Sequence, residues 1–330
     1  MREKRTSITD LANSLGVSKA TVSFVLNGKG DEYHISKGMQ AKIHAKAKEL
    51  AYVPNFFAKG LRHGKTKTIG LLVGDISNAF YGELCKTIQE ELYKQGYNVL
   101  IVNSNDNPEA ECVLLNELIQ RSIDGMIISP CNTIETLIPI LRSTHIPFVF
   151  TDRIGDENAD FVGINNSREA EKLVSKFSVK PKKLAILSQS ANGISTINSR
   201  IEGAVRGCDN ANIPHVLVNL TTNDAEIESK ISELIDSGVD SFLPLNNKVA
   251  LKTVASLKNL KMEIPKQVRI ISFDDSEAFS YFSPAISALL QPIDLIGKET
   301  SLRMLERLQD SNNPGKHLMV SCTFIERGSH

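Results

Sequence analysis

Residues able to do chemistry are plentiful in this 330-residue chain, but few stand at the spacings catalysis requires. The stretch Gly60-Leu61-Arg62-His63-Gly64-Lys65-Thr66 imitates a phosphate-binding loop. It is one residue short of Gly-x-x-x-x-Gly-Lys-Thr, and it precedes a strand pattern where that loop must follow one. No Gly-x-Ser-x-Gly elbow occurs. The seven histidines are isolated, without ligand spacing, so a metal site has no support. Cys85, Cys112, Cys131, Cys208 and Cys322 are odd in number and form no Cys-x-x-Cys, which reads as reduced, packed thiols of a cytosolic protein. No enzyme, metal or cofactor is expected.

The residues that do fall into a functional pattern lie near the start of the chain. Ser18 caps a short helix on which Lys19, Ala20, Thr21, Ser23 and Phe24 can face outward, while Val22, Val25 and Leu26 face inward. Ahead of it, Ser7 with Asp10 is a helix start signal, and Ile8, Leu11, Ala12 and Leu15 share one helical face. Gly16 permits the tight turn between the two helices. Two short helices joined this way form a helix-turn-helix, whose second helix fits the major groove of DNA. Ser36 caps a third helix over about 37–51, with Met39, Ile43, Ala47 and Leu50 inward and Lys42, Lys46 and Lys48 off that stripe. Such a head, of about 55 residues, buries little surface and is marginal alone.

Charge follows the same division. The chain holds 38 basic and 38 acidic residues, yet 13 of the basic and only 5 of the acidic ones fall within residues 1–67. A basic head on an acidic body suits contact with nucleic acid through the head. No apolar run approaches the roughly 18 residues of a membrane span, and the charged N-terminus lacks the apolar centre of a secretion signal. A cytoplasmic location is therefore expected.

Pro54 ends the third helix, Asn55 can cap a short following helix, and 62–68 reads as a basic linker. From Ile69 the pattern changes to short apolar runs between helical stretches. Strands are predicted at 69–73, 98–103, 125–129, 148–151, 161–164, 183–187, 216–218, 241–244 and 268–273, with a further apolar stretch at 318–322 before the tail. Helices are predicted at 79–95, 108–121, 134–143, 167–176, 196–210, 225–237, 248–257 and 293–308. Buried runs alternating with helices imply parallel sheets covered on both faces, here as two doubly wound lobes with a ligand cleft beyond the carboxyl ends of their strands.

These residues carry a family pattern. Val17-Ser18-Lys19-Ala20-Thr21-Val22-Ser23 with Val25-Leu26-Asn27-Gly28, then Tyr52-Val53-Pro54-Asn55, resembles the head of the lactose/galactose repressor family of bacterial transcription regulators. The body matches through Asp124-Gly125-Met126-Ile127, Asp152-Arg153, Phe273-Asp274-Asp275, Gln291-Pro292 and Phe324-Ile325-Glu326-Arg327. Asn27-Gly28-Lys29-Gly30 with Tyr33-His34-Ile35-Ser36, and Asn105-Asp106-Asn107-Pro108-Glu109, are most similar to the sucrose and fructose branch. The resemblance implies a helix-turn-helix head at 1–53, a hinge helix and linker at 54–67, and a periplasmic-binding-protein-like body at 68–330. Its first lobe would comprise about 68–163 plus 292–320, and its second about 164–291 plus 321–330.

For the site, the resemblance implies that Lys19, Ala20 and Phe24 read bases. Many relatives place arginine at the last position; Phe24 would instead press on thymine methyls, or pack inside the head. Ser18, Thr21 and Asn27 would touch phosphates. Asn55, Ala58 and Leu61 would belong to a hinge helix that forms on operator DNA, Leu61 wedging between base pairs in the minor groove. Asp75, Phe80, Tyr81, Arg153, Arg200, Asn247 and Asp274 would line the effector cleft. Asp, Asn and Arg suit sugar hydroxyls, and two guanidinium groups would also suit a phosphate. The expected effector is a sugar or sugar phosphate: fructose, a phosphorylated fructose or sucrose. A non-sugar molecule such as a nucleobase is the alternative on the same fold; a stand-alone sugar-binding protein leaves the basic head unexplained. The partners implied are operator DNA and a second copy of the chain, with a tetramer as the alternative assembly and no membrane.

Two departures from the family bear on the effector. Relatives often carry an aspartate and a glycine pair near Asn165-Asn166, Glu169 and Ala170, and Asn-Asp in place of Asn246-Asn247. If Leu61 is the wedge, Leu61→Ala lowers operator affinity in an electrophoretic mobility assay and leaves ligand affinity nearly intact; equal operator binding by the variant removes the wedge.

Overall fold

The computed structural model describes residues 6–52, 65–131, 134–189, 194–310 and 314–330. They form two compact units divided between Thr66 and Lys67. Asn55, Ala58 and Leu61, and with them the expected hinge helix, lie outside the described residues.

The head holds α1 (Ile8–Leu15), α2 (Lys19–Leu26) and α3 (Lys37–Glu49). Each begins at a serine that satisfies an otherwise orphaned backbone N–H. Ser7 forms a full capping box with Asp10, Ser18 accepts from Thr21 N, and Ser36 accepts from Met39 N. Gly16 closes α1 at φ 64°, a left-handed conformation that glycine adopts without a side-chain penalty. Leu11, Ala12, Val22, Val25, Ile43 and Ala47 are buried together as the head's core. In the loop before α3, Asp31 accepts from Lys37 Nζ at 2.7 Å and Gln40 Nε2 at 2.9 Å.

The body contains two six-stranded sheets. The first runs β11-β5-β4-β3-β1-β2, built from β1 (Thr68–Val73), β2 (Asn98–Asn103), β3 (Gly125–Ile128), β4 (Phe148–Thr151), β5 (Asp160–Ile164) and β11 (His317–Val320), all parallel. The second runs β12-β10-β9-β8-β6-β7, built from β6 (Leu184–Ser188), β7 (His215–Asn219), β8 (Ser241–Pro244), β9 (Arg269–Phe273), β10 (Ser287–Leu290) and β12 (Thr323–Ile325). Its pairs are parallel except β12, which is antiparallel to β10. The chain passes between the lobes after β5, after β10 and after β11, as the strand order shows.

Helices cover these sheets: α4 (Ala79–Lys94), α5 (Pro108–Gln120) and α6 (Ile134–Thr144) between strands of the first; α7 (Asn166–Val174), α8 (Ser195–Asn210), α9 (Asp224–Asp236) and α10 (Asn247–Asn259) with the second. The last helix, α11 (Ile293–Gln309), returns to pack against α4 and β4. Alternating strand and helix patterns are where the sequence expected them. Two strands were not expected. β10 is a four-residue run bounded by Pro284 and Pro292, and β12 has three residues, too short to show a period of two. Tertiary pairing makes both into strands, and the tail is tied in behind them. Arg327 reaches Asp275 with two parallel bonds of 2.8 Å, and Ser329 Oγ donates to Ile270 O at 2.7 Å.

Packing is tightest between α7 and α8. A Cβ built on Gly203 would lie 1.9 Å from the Ser167 carbonyl oxygen, a backbone atom that cannot step aside. Gly203→Ala should therefore destabilise the body by about 1–3 kcal/mol, the usual cost of overpacking. An unchanged midpoint in urea denaturation contradicts this close approach.

Candidate DNA-reading helix and ligand cleft

Helix α2 carries the expected DNA-contact residues from its N-cap, Ser18, to its C-cap, Asn27. Ser18, Lys19 and Ala20 are exposed and Thr21 is half-buried. The Ser18 and Thr21 hydroxyls lie 2.8 Å apart, and Ser18 Oγ also accepts from Thr21 N at 3.0 Å, so capping and any phosphate contact share the same atoms. Asn27 is exposed, its Nδ2 donating to Ser23 O at 2.7 Å. Phe24 lies outside the head's core cluster and is half-buried by another route. Its ring stacks on Tyr33, with centroids 3.5 Å apart and planes 8° from parallel. Tyr33 comes from the loop after α2, and sequence reasoning gave it no role.

The cleft is built where strands of both sheets end. In the first lobe, Asp152 and Arg153 follow β4, Ser129 follows β3, and Tyr81 stands in the first turn of α4. Tyr81 Oη donates to Asp152 Oδ2 at 2.7 Å and lies 2.9 Å from Ser129 Oγ. Phe80 is buried edge-on against Tyr81. Arg153 is buried, donating to Asp106 Oδ1 at 2.7 Å and to the Pro130 carbonyl at 3.3 Å, with its Nε 3.7 Å from Asp152 Oδ2. Burial raises the Asp152 carboxyl above its ordinary value, with Arg153 and Tyr81 opposing. Burial, reinforced by the Asp152 charge, pushes the Tyr81 phenol well up. Burial works against the Arg153 cation, yet Tyr81, Asp152 and Asp106 together raise its hold on the proton.

The second lobe answers with Arg200 from α8. Its Nε donates to Asn166 Oδ1 at 2.7 Å and its Nη1 to the Leu245 carbonyl at 2.8 Å and to Asp274 Oδ2 at 2.9 Å. The guanidinium lies 3.9 Å from the Phe273 ring centroid, a cation–π contact. Asp274 also accepts from Gln291 Nε2 at 2.6 Å. A pocket of about 150 Å³ opens beside these groups, its polar lining Asp152, Asn165, Asn166, Ser167, Ser195, Thr196 and Ser199 and its apolar lining Ile154, Phe161, Ile164 and Met319. A larger hollow of about 380 Å³ lies at the opposite, amino-terminal ends of β4 and β5, where Arg142 and Arg307 already bond Asp156 and Asp160. The smaller one lies at the carboxyl ends of strands, where ligands of doubly wound sheets bind. The expected residues Asp75, Phe80, Tyr81, Arg153, Arg200, Asn247 and Asp274 are not in its lining, but Arg153 adjoins Asp152 and Arg200 is bonded to Asn166.

The departures near Asn165 and Asn247 have a physical account. Asn165 caps α7 by accepting from Arg168 N at 3.0 Å, a role aspartate would also fill, and Asn166 holds Arg200. Asn246 caps α10 in the same way, accepting from Val249 N at 2.8 Å. Asn247 points across the cleft, its Nδ2 3.4 Å from Asn78 Oδ1 of the first lobe.

Asp75 is turned to a partner that sequence reasoning overlooked. Lys248 Nζ, in the first turn of α10, crosses the cleft to Asp75 Oδ2 at 2.6 Å and Ser77 Oγ at 2.7 Å. Burial raises the Asp75 carboxyl, but the bonds from Lys248 and Ser77 outweigh it and hold the group below its ordinary value. The structure thus brings Tyr81, Arg153, Arg200 and Asp274 to one cleft and places Asn247 and Asp75 at lobe-to-lobe contacts. Asp106, Asp152, Asn166 and Gln291 complete it. They stand in or beside the motifs that carried the resemblance, whereas Lys248 had no signal, because a lysine on a helix reads as solvated until the opposite lobe is in place.

Comparison with known proteins bears on both parts. Residues 7–55 match the model described as bacterial regulatory proteins, lacI family, and residues 181–330 match that of a periplasmic binding protein-like domain. The HTH-type transcriptional regulator KdgR of Bacillus subtilis (strain 168) is 29% identical, over 98% of this chain and 97% of its own. This chain belongs to the lacI family. It is a DNA-binding transcriptional regulator with a ligand-binding body, not an enzyme. The lac repressor dimer bound to operator and the anti-inducer ONPF is similar in fold, with a TM-score of 0.83 at 19% identity over 99% of both chains. A lacI-family regulator from Enterococcus faecium with bound ribose aligns at a TM-score of 0.69 and 24% identity, over 79% of this chain and 98% of that one. No helix among the described residues is long and apolar enough to cross a membrane.

The Lys248 crossing can be tested by scattering. Lys248→Met should release the lobes and raise the radius of gyration of the ligand-free body. Because the Asp75 carboxyl is held below its unfolded value, its contribution is present above that value and lost as pH falls through the folded one. The wild-type body should therefore expand on acidification, and the variant should be expanded already; identical profiles for the two proteins would show that the crossing holds nothing.

Proposed function

We propose that this lacI-family protein represses carbohydrate-utilisation genes of the sucrose and fructose type, with operator affinity set by a sugar in the cleft. Residues 1–53 act as the DNA-binding head, 54–67 as the hinge and 68–330 as the effector-binding and dimerisation body. Two chains pair through their bodies, and their heads take half-sites about one helical turn apart. Lys19, Ala20 and Phe24 read bases; Ser18, Thr21 and Asn27 hold phosphates; Asn55, Ala58 and Leu61 serve the hinge. Such a regulator works in the cytoplasm.

One observation carries the ligand side: polar groups of both lobes converge beside one pocket, which Asp152 of the first lobe and Asn166 of the second line, Arg153 standing next to Asp152 and Arg200 bonded to both Asn166 and Asp274. Ligand that bridges such walls favours one lobe arrangement over another, and a ligand shifts an equilibrium only by its differential affinity for the two states. The ribose held by the Enterococcus faecium relative supports a sugar as occupant. Tyr81, Phe80, Arg153, Arg200, Asn247 and Asp274 form the site, with Asp75 at its mouth.

Coupling of about 1–3 kcal/mol, typical of such regulators, changes operator affinity roughly 5- to 150-fold. The test is operator binding to promoter fragments with and without fructose, sucrose, ribose and their phosphates. Arg200→Ala should abolish the response to the active sugar and leave ligand-free operator affinity within about twofold, less than 0.5 kcal/mol. A variant that still responds removes Arg200 from the site, and a wild-type protein without preference for any fragment over bulk duplex ends the proposal.

A further inference from the structure

The two cleft arginines would suit a phosphate only if they were free to bind it. Both are spoken for. Arg153 and Arg200 are each 4% exposed, the first held between Asp106 and Asp152, the second on Asp274. Lys248 is bonded to Asp75. Each of these three cations is therefore already bonded to a carboxylate, Asp106, Asp274 or Asp75, with Asp152 close beside the first.

Three side-chain atoms buried in these walls have no hydrogen-bond partner: Arg153 Nε, Asn247 Oδ1 and Gln291 Oε1. All three residues are at least nine-tenths buried. One of these atoms is a donor and two are acceptors. A hydroxyl group can serve both kinds, because it donates and accepts at once. A phosphate dianion accepts only: it could meet Arg153 Nε but neither Asn247 Oδ1 nor Gln291 Oε1, and to take the Nη1 of either arginine it must displace Asp106 or Asp274, leaving that carboxylate buried without its counter-ion.

We infer that the cleft takes an uncharged polyhydroxylated ligand and rejects the phosphorylated form of the same molecule. The inference rests on reading the cleft as the sugar site. It narrows the effector to hydroxyl-rich neutral molecules and makes Asp106 and Asp274 the residues that exclude anions, by occupying the guanidinium nitrogens that an anion would need.

The test titrates the full-length chain calorimetrically, at 0.15 M salt as a physiological ionic strength, against matched pairs: fructose with its 1- and 6-phosphates, ribose with ribose 5-phosphate, and sucrose with sucrose 6-phosphate. At least one neutral member should bind, with its phosphate weaker by about tenfold or more. Asp106→Asn removes a negative charge beside Arg153 and should narrow that gap, with operator binding and thermal unfolding checking that the variant is folded. A phosphate ester that binds more tightly than its parent sugar overturns the inference and leaves the sugar site standing. Silence across all pairs, while operator binding persists, overturns the sugar reading and the inference with it.

Discussion

Buried charge must be compensated, and the body of this regulator is arranged around that constraint. Arg153, just past the end of β4, and Arg200, from α8, stand on opposite lobes, each almost out of contact with water. Neither could stay charged there alone, since an unpaired buried ion costs several kcal/mol. Asp106, Asp152 and Asp274 meet them with bonds or close ion pairs, and the chain's passages between the lobes bring those groups to a common cleft. The result is a polar seam inside a continuous apolar core that includes Leu71 and Tyr81 of one lobe and Leu245 and Phe273 of the other. Buried ion pairs contribute little net stability, but they penalise any arrangement that separates the partners. That property suits a ligand-responsive hinge, where the discrimination between lobe positions matters more than the depth of either.

The head obeys a different economy. Its core is six residues, and three serine caps and one left-handed glycine define where its helices start and stop. The residues facing outward at the start of α2 are short or flexible, with Phe24 held flat against Tyr33. An aromatic face pinned by a second ring has lost rotamer freedom before it meets any partner. This is preorganisation, which lowers the entropic cost of binding.

Local signals were legible in the sequence because they act within a few residues. Ser7 with Asp10, Gly16, Ser18 and Ser36 satisfy or break backbone hydrogen bonds in their own turns, so the head's helices could be located to within about two residues. Predicted runs of three to six residues marked the strands of both sheets for the same reason, with β10 and β12 as the exceptions. β12 is a strand because β10 lies beside it, and β10 because β9 does. Short segments take their conformation from the neighbour that supplies hydrogen bonds, and the neighbour is far away in sequence.

The sequence alone therefore determined the helix-turn-helix, the strand–helix alternation of the body, the family, and the presence of arginines and carboxylates in the loops and helices that follow strands. It did not determine how those charges combine. Counting Arg153 and Arg200 suggested a phosphate site; only the tertiary structure, by setting Asp106, Asp152 and Asp274 against them, turned the pair into neutralised walls. The same is true of Lys248, a surface lysine by pattern and a lobe-to-lobe contact by geometry. Coulomb interactions fall off with distance and rise steeply with burial. Both are properties of the folded chain, which is why composition could name the charges and only the fold could say what they do.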